Sequence, residues 1–122
     1  MPTLKHILVV DDDSSVLKFL GHALREYRVS VARDPDEALI VASNVASLDL
    51  IVTDYLMPSM TGDELIGRIR EQRPSLKVLI LTGHSVILDI ENPPWWVREA
   101  HLEKPIDIEV LRKAVAQLIG PP

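Results

Sequence analysis

Short apolar segments alternate with segments of helical periodicity along the whole sequence. Most of the apolar segments carry Val, Ile or Leu at successive positions, so both faces of each segment are hydrophobic. Strands of this kind are buried on both sides, and they predict a parallel sheet covered by helices on both faces. Five such strands favour the doubly wound order 2-1-3-4-5, because crossover connections are right-handed. The strands are predicted at residues 7–10, 29–31, 48–53, 77–81 and 100–103.

Helix boundaries are indicated by capping residues and by prolines. The first helix is predicted at residues 14–26, and a capping box is predicted from Thr61 to Glu64. The helical pattern at residues 85–91 runs into Asn92-Pro93-Pro94, so the fourth of five helices is predicted to be irregular. Four helices are predicted to begin just after an N-cap residue: Asp13, Asp34, Thr61 and Asp107.

The composition is that of one ordinary globular domain. The chain has 122 residues, 47% of them hydrophobic and 25% charged, so we expect a single domain over residues 1–122 with its core at about residues 5–119. The net charge of -5 argues against direct binding to nucleic acid. No apolar run approaches the roughly 20 residues of a membrane span. The N-terminus lacks the layout of a signal peptide, so a cytoplasmic location is expected.

Polar residues follow the predicted strands at the point where each strand ends. Asp11 and Asp12 follow the first strand, Asp54 the third, Thr82 the fourth and Lys104 the fifth. In a parallel sheet, these positions line one shared crevice. Carboxylates suit Mg²⁺, whereas a hydroxyl and an ammonium suit the oxygens of a phosphoryl group. Asp54 stands apart from the other two acids, so it is the better candidate for a phosphoryl nucleophile, with Asp11 and Asp12 as metal ligands.

Four motifs carry a resemblance to a known family. They are ILVVDDD, VTDYLMPSMTG, LILTG and LEKP, and in this order and spacing the chain resembles the receiver domain of two-component response regulators. The resemblance runs from about Lys5 to Ile119, which is nearly the whole chain. It implies a flavodoxin-like (βα)5 fold with a five-stranded parallel sheet of order 2-1-3-4-5. It also implies a signalling module that is controlled by phosphorylation.

The resemblance implies a role for each residue at the strand ends. Asp54 would receive a phosphoryl group from a histidine kinase or a histidine phosphotransfer protein. Thr82 and Lys104 would hold the phosphoryl oxygens, and the Lys104–Pro105 peptide bond would be cis, as is usual in this family. Mg²⁺ would be held by the side chains of Asp11, Asp12 and Asp54 and by the backbone carbonyl of Leu56, with Asp11 acting largely through water.

The resemblance also implies a switch and its partners. Thr82 would move toward the phosphoryl group, and an aromatic residue on the fifth strand would turn inward behind it. His101 holds the position of that aromatic residue, so we expect Thr82 and His101 to switch the face formed by the fourth helix, the fifth strand and the last helix. That face would signal to a downstream protein or output domain. Whether it also forms a homodimer, as it often does in family members, stays open.

The chemistry implied for the chain is self-catalysed phosphotransfer and autodephosphorylation, without turnover of a metabolite. Two other functions stay open. A phosphatase of the haloacid-dehalogenase type would use Asp11 as its nucleophile with Asp13 beside it, but this leaves Asp54 without a role. A pseudo-receiver would be an interaction module that is never phosphorylated, and the presence of both Thr82 and Lys104 argues against it.

Overall fold

The computed structural model describes residues 4–57, 59–83 and 99–122, and within these ranges it contains five strands and four helices. The strands are β1 (His6–Val10), β2 (Arg28–Ala32), β3 (Leu50–Asp54), β4 (Lys77–Thr82) and β5 (Ala100–Glu103). The helices are α1 (Ser14–Ala23), α2 (Pro35–Asn44), α3 (Gly62–Gln72) and α4 (Ile108–Ile119). The irregular helix predicted at residues 85–91 lies outside the described residues. None of the four helices is long and apolar enough to cross a membrane.

The five strands form one parallel sheet in the order β2-β1-β3-β4-β5, which confirms the predicted topology. The register aligns the ends of the central strands. Val10 of β1 lies opposite Thr53, Asp54 lies opposite Leu81, and Thr82 lies opposite Glu103. The carboxyl ends of β1, β3, β4 and β5 therefore meet along one edge of the sheet, which we call the carboxyl edge. The opposite edge, where these strands begin, is the amino edge.

Each face of the sheet packs against its own hydrophobic cluster. Side chains alternate between the faces of a strand, so Ile7 and Val9 point to α1 and α4 while Leu8 and Val10 point to α2 and α3. All five residues of β1 are buried. Burial of one such aliphatic side chain contributes about 1.5–3 kcal/mol, so the two clusters hold the helices against the sheet and fix its carboxyl edge.

Three of the four predicted N-caps bond as expected. The carboxylates of Asp13, Asp34 and Asp107 each accept a hydrogen bond from a backbone N–H in the first turn of the following helix, at 2.8–2.9 Å. The capping box predicted at Thr61 is wrong. The Thr61 hydroxyl instead donates to the Glu64 carboxylate at 3.2 Å and bonds no backbone N–H of the first turn, because its oxygen is turned toward that side chain.

Several element boundaries also differ from the predictions, most of them by a single residue. Helix α1 ends at Ala23 rather than at residue 26, because Tyr27 N–H bonds the Leu24 carbonyl and turns the chain into β2. Strand β3 begins at Leu50 and includes Asp54. The residue before β3 is Asp49, and its N–H donates to the carbonyl of His6, the first residue of β1, at 2.9 Å.

Candidate functional site

The carboxyl edge gathers the polar residues that were predicted to meet there. Asp54 ends β3 and Thr82 ends β4, whereas Asp11 directly follows β1 and Lys104 directly follows β5. Asp11, Asp54 and Thr82 are buried. Lys104 is half-buried, and Asp12 is exposed. The edge therefore has a buried floor and an open side, through which a ligand can approach.

Three carboxylates at this edge form an acidic cluster, made of Asp11, Asp12 and Asp54. One oxygen of each lies within 4.8 Å of the others. The Lys104 ammonium lies 3.4 Å from Asp11 Oδ2 and 3.4 Å from Asp54 Oδ2. With the three acids ionised, one ammonium leaves two negative charges unbalanced, which is the charge that a divalent cation neutralises.

Burial and neighbouring charges shift the pKa values of two groups in this cluster. Burial raises the pKa of Asp54 above its ordinary value of 3.8. The Lys104 ammonium opposes that shift, and the Asp11 and Asp12 carboxylates add to it. Burial by itself lowers the pKa of Lys104, but the Asp54 and Asp11 carboxylates together raise it above 10.5. Lys104 is therefore charged at neutral pH. Additional positive charge near Asp54 would favour the ionised form of the Asp54 carboxyl group.

The three consecutive acids after β1 have different roles. Asp13 caps α1 through its side chain, and its own N–H donates to Asp11 Oδ1 at 2.9 Å. The N–H of Asp11 donates to the Ala32 carbonyl of β2 at 3.2 Å. Asp11 is thus fixed from both sides, while Asp12 presents its carboxylate to solvent beside the cluster.

Lys104 is placed by main-chain contacts with β4. Its N–H donates to the Thr82 carbonyl at 2.8 Å, which continues the pairing of β4 and β5 by one residue. The Lys104–Pro105 peptide bond is cis, in agreement with the resemblance. The side-chain hydroxyl of Thr82 donates to the Leu102 carbonyl at 3.4 Å, which is long for a hydroxyl donor.

His101 lies on β5 opposite Ile80. Its neighbours Ala100 and Leu102 pack against the cluster under α1 and α4, so the alternation of the strand places His101 on the other face. The half-buried ring has Nδ1 at 3.0 Å from the Glu99 carbonyl. A carbonyl only accepts, so Nδ1 carries the proton and donates. The role of His101 as a switch residue stays a prediction.

Gly62 touches the site from α3, and its importance was missed in the sequence. A Cβ atom at Gly62 would lie 2.8 Å from the Asp54 carbonyl oxygen and 3.1 Å from Tyr55 Cα. In the sequence, Gly62 stands at the first position of a helix, where glycine is not needed for conformation. A glycine that the backbone conformation does not require can indicate a close backbone contact, and this was the signal available in the sequence. That the contact is with the Asp54 main chain depends on the tertiary structure.

The acidic cluster fits a hard divalent cation. Its donors are all oxygens, and no cysteine is present in the chain to bind a softer metal. Mg²⁺ prefers such oxygen donors and keeps several of its waters, which suits a cluster with one exposed member. Leu56 lies in the loop after Asp54 and is 57% exposed. The use of its carbonyl as a ligand stays a prediction.

An apolar groove of about 280 Å³ lies beside Lys104, between the start of α1 and the chain after β5. Val16, Phe19 and Ile106 line it and are partly buried against the neighbouring hydrophobic cluster. Pro105 completes its wall. The groove was not predicted from the sequence, because its walls are separated by more than eighty residues along the chain.

Comparison with known proteins gives one consistent family. A family model described as response regulator receiver domain matches residues 7–116. The transcriptional regulatory protein GlrR of Escherichia coli is 36% identical over 112 residues, which cover 90% of this chain and 25% of that protein. This chain therefore spans about a quarter of the length of that relative.

Solved structures agree with the sequence relatives. A receiver domain protein from Clostridium thermocellum is 31% identical with a TM-score of 0.77, and the match covers 95% of this chain and 94% of that one. The chemotaxis response regulator CheY4 of Vibrio cholerae is 30% identical with a TM-score of 0.82, over 95% of this chain and 99% of that one.

Proposed function

Because the chain belongs to the family of response regulator receiver domains, we propose that Asp54 is its phosphoacceptor, supplied by a histidine kinase or a histidine phosphotransfer protein. The observation that carries the proposal is the position of the Asp54 carboxylate. It lies in a cluster of carboxylates, 3.4 Å from a half-buried ammonium, at the carboxyl edge of the sheet. Receiver domains bind Mg²⁺ at such an acidic pocket, and the same cluster supplies the oxygen donors for it here.

Asp54 is better placed to act as nucleophile than Asp11. The side chain of Asp11 is only 1% exposed, and its two oxygens contact the Asp13 N–H and the Lys104 ammonium. The side chain of Asp54 is 12% exposed and faces the open side of the site. This difference supports the receiver function over a phosphatase that would use Asp11.

The proposed reaction forms a bond between a carboxylate oxygen of Asp54 and the phosphorus of the donor. The bond between that phosphorus and the donor histidine nitrogen breaks, its electron pair stays on the imidazole, and the imidazole takes up a proton. Lys104 compensates the negative charge of the transferring group, which is the main requirement of phosphoryl transfer. Water attack on the same phosphorus returns Asp54 to its free form with release of inorganic phosphate.

Bound Mg²⁺ would supply two positive charges for the acidic cluster and the phosphoryl oxygens. Its proposed ligands are Asp12, Asp54 and the Leu56 carbonyl directly, with Asp11 acting largely through water. Thr82 is proposed to donate its hydroxyl to a phosphoryl oxygen. The contact that this hydroxyl makes with the Leu102 carbonyl is 3.4 Å long, so little is lost from that contact when the hydroxyl turns. His101, on the neighbouring strand, is proposed to respond to that movement.

The groove beside Lys104 is the proposed docking surface for the phosphodonor protein. A donor histidine has to reach Asp54 from the carboxyl edge, and the groove borders that edge. Its apolar side chains, Phe19 among them, can pack against a helix of the donor protein.

We further propose that residues 1–122 form a single domain with its core at about residues 5–119 and that this domain works in the cytoplasm. A downstream protein or output domain would read the altered face of β5 and α4.

The phosphoacceptor is tested with acetyl phosphate and Mg²⁺, followed by intact-mass measurement and mapping of the acyl phosphate. We expect one phosphoryl group on Asp54 in the parent chain and a loss of about 100-fold or more in Asp54→Asn. Asp13→Asn is the control, because asparagine also caps helices. Labelling of Asp11 would support the phosphatase, and a complete lack of labelling would support the pseudo-receiver.

The docking surface is tested with a phosphorylated histidine phosphotransfer protein. Phe19→Ala should slow transfer from that donor by about tenfold, because truncation of a central aromatic weakens an interface. Labelling by acetyl phosphate should not change, since this small donor needs no docking surface. Ile40→Ala on α2 removes an exposed side chain elsewhere and serves as the control. Equal transfer rates for the two variants would refute the proposed surface.

A further inference from the structure

The main chain around Asp54 is held by contacts from β4 and α3. Tyr55 N–H donates to the Leu81 carbonyl of β4 at 3.1 Å, and the Tyr55 carbonyl accepts from Gly62 N–H of α3 at 2.7 Å. The hydroxyl of the buried Thr53 donates to the Asp54 carbonyl at 3.0 Å. The two peptide units that follow the Asp54 side chain are therefore tied to a strand on one side and to the first residue of a helix on the other.

There is no space for a side chain where α3 meets this main chain. A Cβ atom on Gly62 would lie 2.8 Å from the Asp54 carbonyl oxygen, 3.1 Å from Tyr55 Cα and 3.6 Å from the Asp54 carbonyl carbon. All three are backbone atoms, which cannot rotate away as a flexible side chain can. Gly62 does not have a positive φ. The requirement for glycine is thus the close approach of two backbone segments rather than an unusual backbone conformation.

We infer that Gly62 is a positioning residue for the phosphoacceptor, an inference that rests on the proposed role of Asp54. The close approach of Gly62 to the Asp54 carbonyl fixes the position of the Asp54 main chain at the end of β3. A methyl group there would force the Asp54 main chain and the start of α3 apart, and it would alter the 3.4 Å contact between Asp54 and Lys104. A displacement of about 1 Å can slow a positioned reaction by about 100-fold.

The matched pair Gly62→Ala and Gly67→Ala tests this inference. Both glycines lie in α3, but a Cβ at Gly67 meets nothing within 4 Å. Acetyl phosphate labelling and Mg²⁺ affinity are measured at a temperature well below the unfolding midpoint of both variants. Gly62→Ala should label at least about tenfold more slowly and bind Mg²⁺ more weakly. Without metal, its amide spectrum should change around Asp54 and Tyr55. Gly67→Ala should match the parent chain.

The comparison between Gly62→Ala and Gly67→Ala can contradict the proposed role of Gly62. If Gly62→Ala equals Gly67→Ala in rate, in Mg²⁺ affinity and in the Asp54 and Tyr55 amide signals, the inference is wrong. If the parent chain is not labelled on Asp54, the proposed function fails, while the metal-free amide signals and Mg²⁺ affinity still decide the role of Gly62. If Gly62→Ala does not fold, Thr53→Val replaces it, because this variant keeps the shape of the side chain but removes its bond to the Asp54 carbonyl. Slower labelling of Thr53→Val supports positioning through that carbonyl, and parent-like labelling refutes it.

Discussion

The two edges of the sheet satisfy their polar groups in different ways. At the carboxyl edge, the Lys104 ammonium lies 3.4 Å from the carboxylates of both Asp11 and Asp54, and burial raises the pKa of Asp54. At the amino edge, the buried His6 has a partner at each ring nitrogen. The acidic cluster therefore carries more negative charge than Lys104 balances, whereas the polar groups of His6 are paired within the fold. Charge and hydrogen-bonding rules are met at His6, where they stabilise the fold, and are left unmet at the acidic cluster, which a ligand can complete.

At the amino edge, both ring nitrogens and the backbone N–H of His6 have partners. His6 Nε2 lies 2.7 Å from Ser30 Oγ, and Nδ1 lies 3.1 Å from the Ser47 carbonyl. The backbone N–H of His6 donates to Asp49 Oδ2 at 2.8 Å. These contacts join β1, β2 and the segment before β3. Buried polar groups that are bonded stabilise a unique arrangement, so these contacts fix the start of β1 against its neighbours.

Cations at the amino edge also bind the ends of helices. Arg73 donates to the Ala42 and Val45 carbonyls at the end of α2, at 2.9 and 2.6 Å. Arg112 Nε donates to the Ala23 carbonyl at the end of α1, at 2.9 Å. Lys5 donates to the Ile119 carbonyl at the end of α4. Positive charge at helix C-termini is favourable, because the last carbonyls are unpaired and carry partial negative charge.

The largest effect that separates the two edges is expected from lysine substitutions. Lys104→Met removes the ammonium that faces Asp54, so labelling by acetyl phosphate should slow by about 100-fold. Lys5→Met is the matched change at the amino edge and should leave the rate within about twofold, because it lies outside the site. The rates are measured by intact mass over time. A comparable loss in both variants would show that the edges are not separable.

The next effect is a loss of stability without a loss of function. Arg73→Ala removes two hydrogen bonds to the end of α2, so the free energy of unfolding should fall by about 1–3 kcal/mol. Arg68→Ala changes an exposed arginine of α3, the helix that Arg73 follows, and should stay within about 0.5 kcal/mol. Urea unfolding measures both. Labelling of Arg73→Ala should stay normal below its unfolding transition, and slow labelling there would contradict the division between the edges.

Mg²⁺ should strengthen the carboxyl edge alone. At a concentration about tenfold above its dissociation constant, it should raise the free energy of unfolding by about 1.4 kcal/mol. Asp12→Asn should abolish most of this gain, because it removes the exposed donor of the cluster. Asp36→Asn, an exposed acid of α2, should keep it. Unfolding with Mg²⁺ and with a chelator measures the gain, and an equal gain in all three proteins would place the metal elsewhere.

The smallest effect is the pH dependence contributed by Asp54. Its pKa is raised in the folded state even with Lys104 nearby. The folded state therefore holds this proton more tightly, and stability from this group is present below pH 3.8 and is lost as pH rises through the raised pKa. Without metal, Asp54→Asn should be more stable than the parent at neutral pH, and this difference should vanish in acid. A difference that grows in acid would contradict the raised pKa.

The fold and the gathering of the site residues could be predicted because both follow local patterns. Successive apolar residues in β1, β3 and β4 indicate strands buried on both faces. In a parallel sheet, the residues after such strands must meet at one edge, which brings Asp54 to Lys104. The capping-box prediction failed at Thr61. The Thr61 hydroxyl can bond either the backbone N–H or the side-chain carboxylate of Glu64, and sequence spacing alone cannot choose between these two groups.

The class of the sheet, the order of its strands and the set of side chains at its carboxyl edge could be read from the sequence, since periodicity and strand ends are properties of neighbouring residues. The packing of the folded chain was needed to show that Asp11 and Asp54 are buried, that one ammonium contacts both of them, and that Gly62 leaves no room beside the Asp54 carbonyl. These features depend on distances of a few ångströms between distant segments. Such distances are set when the helices pack on the sheet, because close packing leaves little free space.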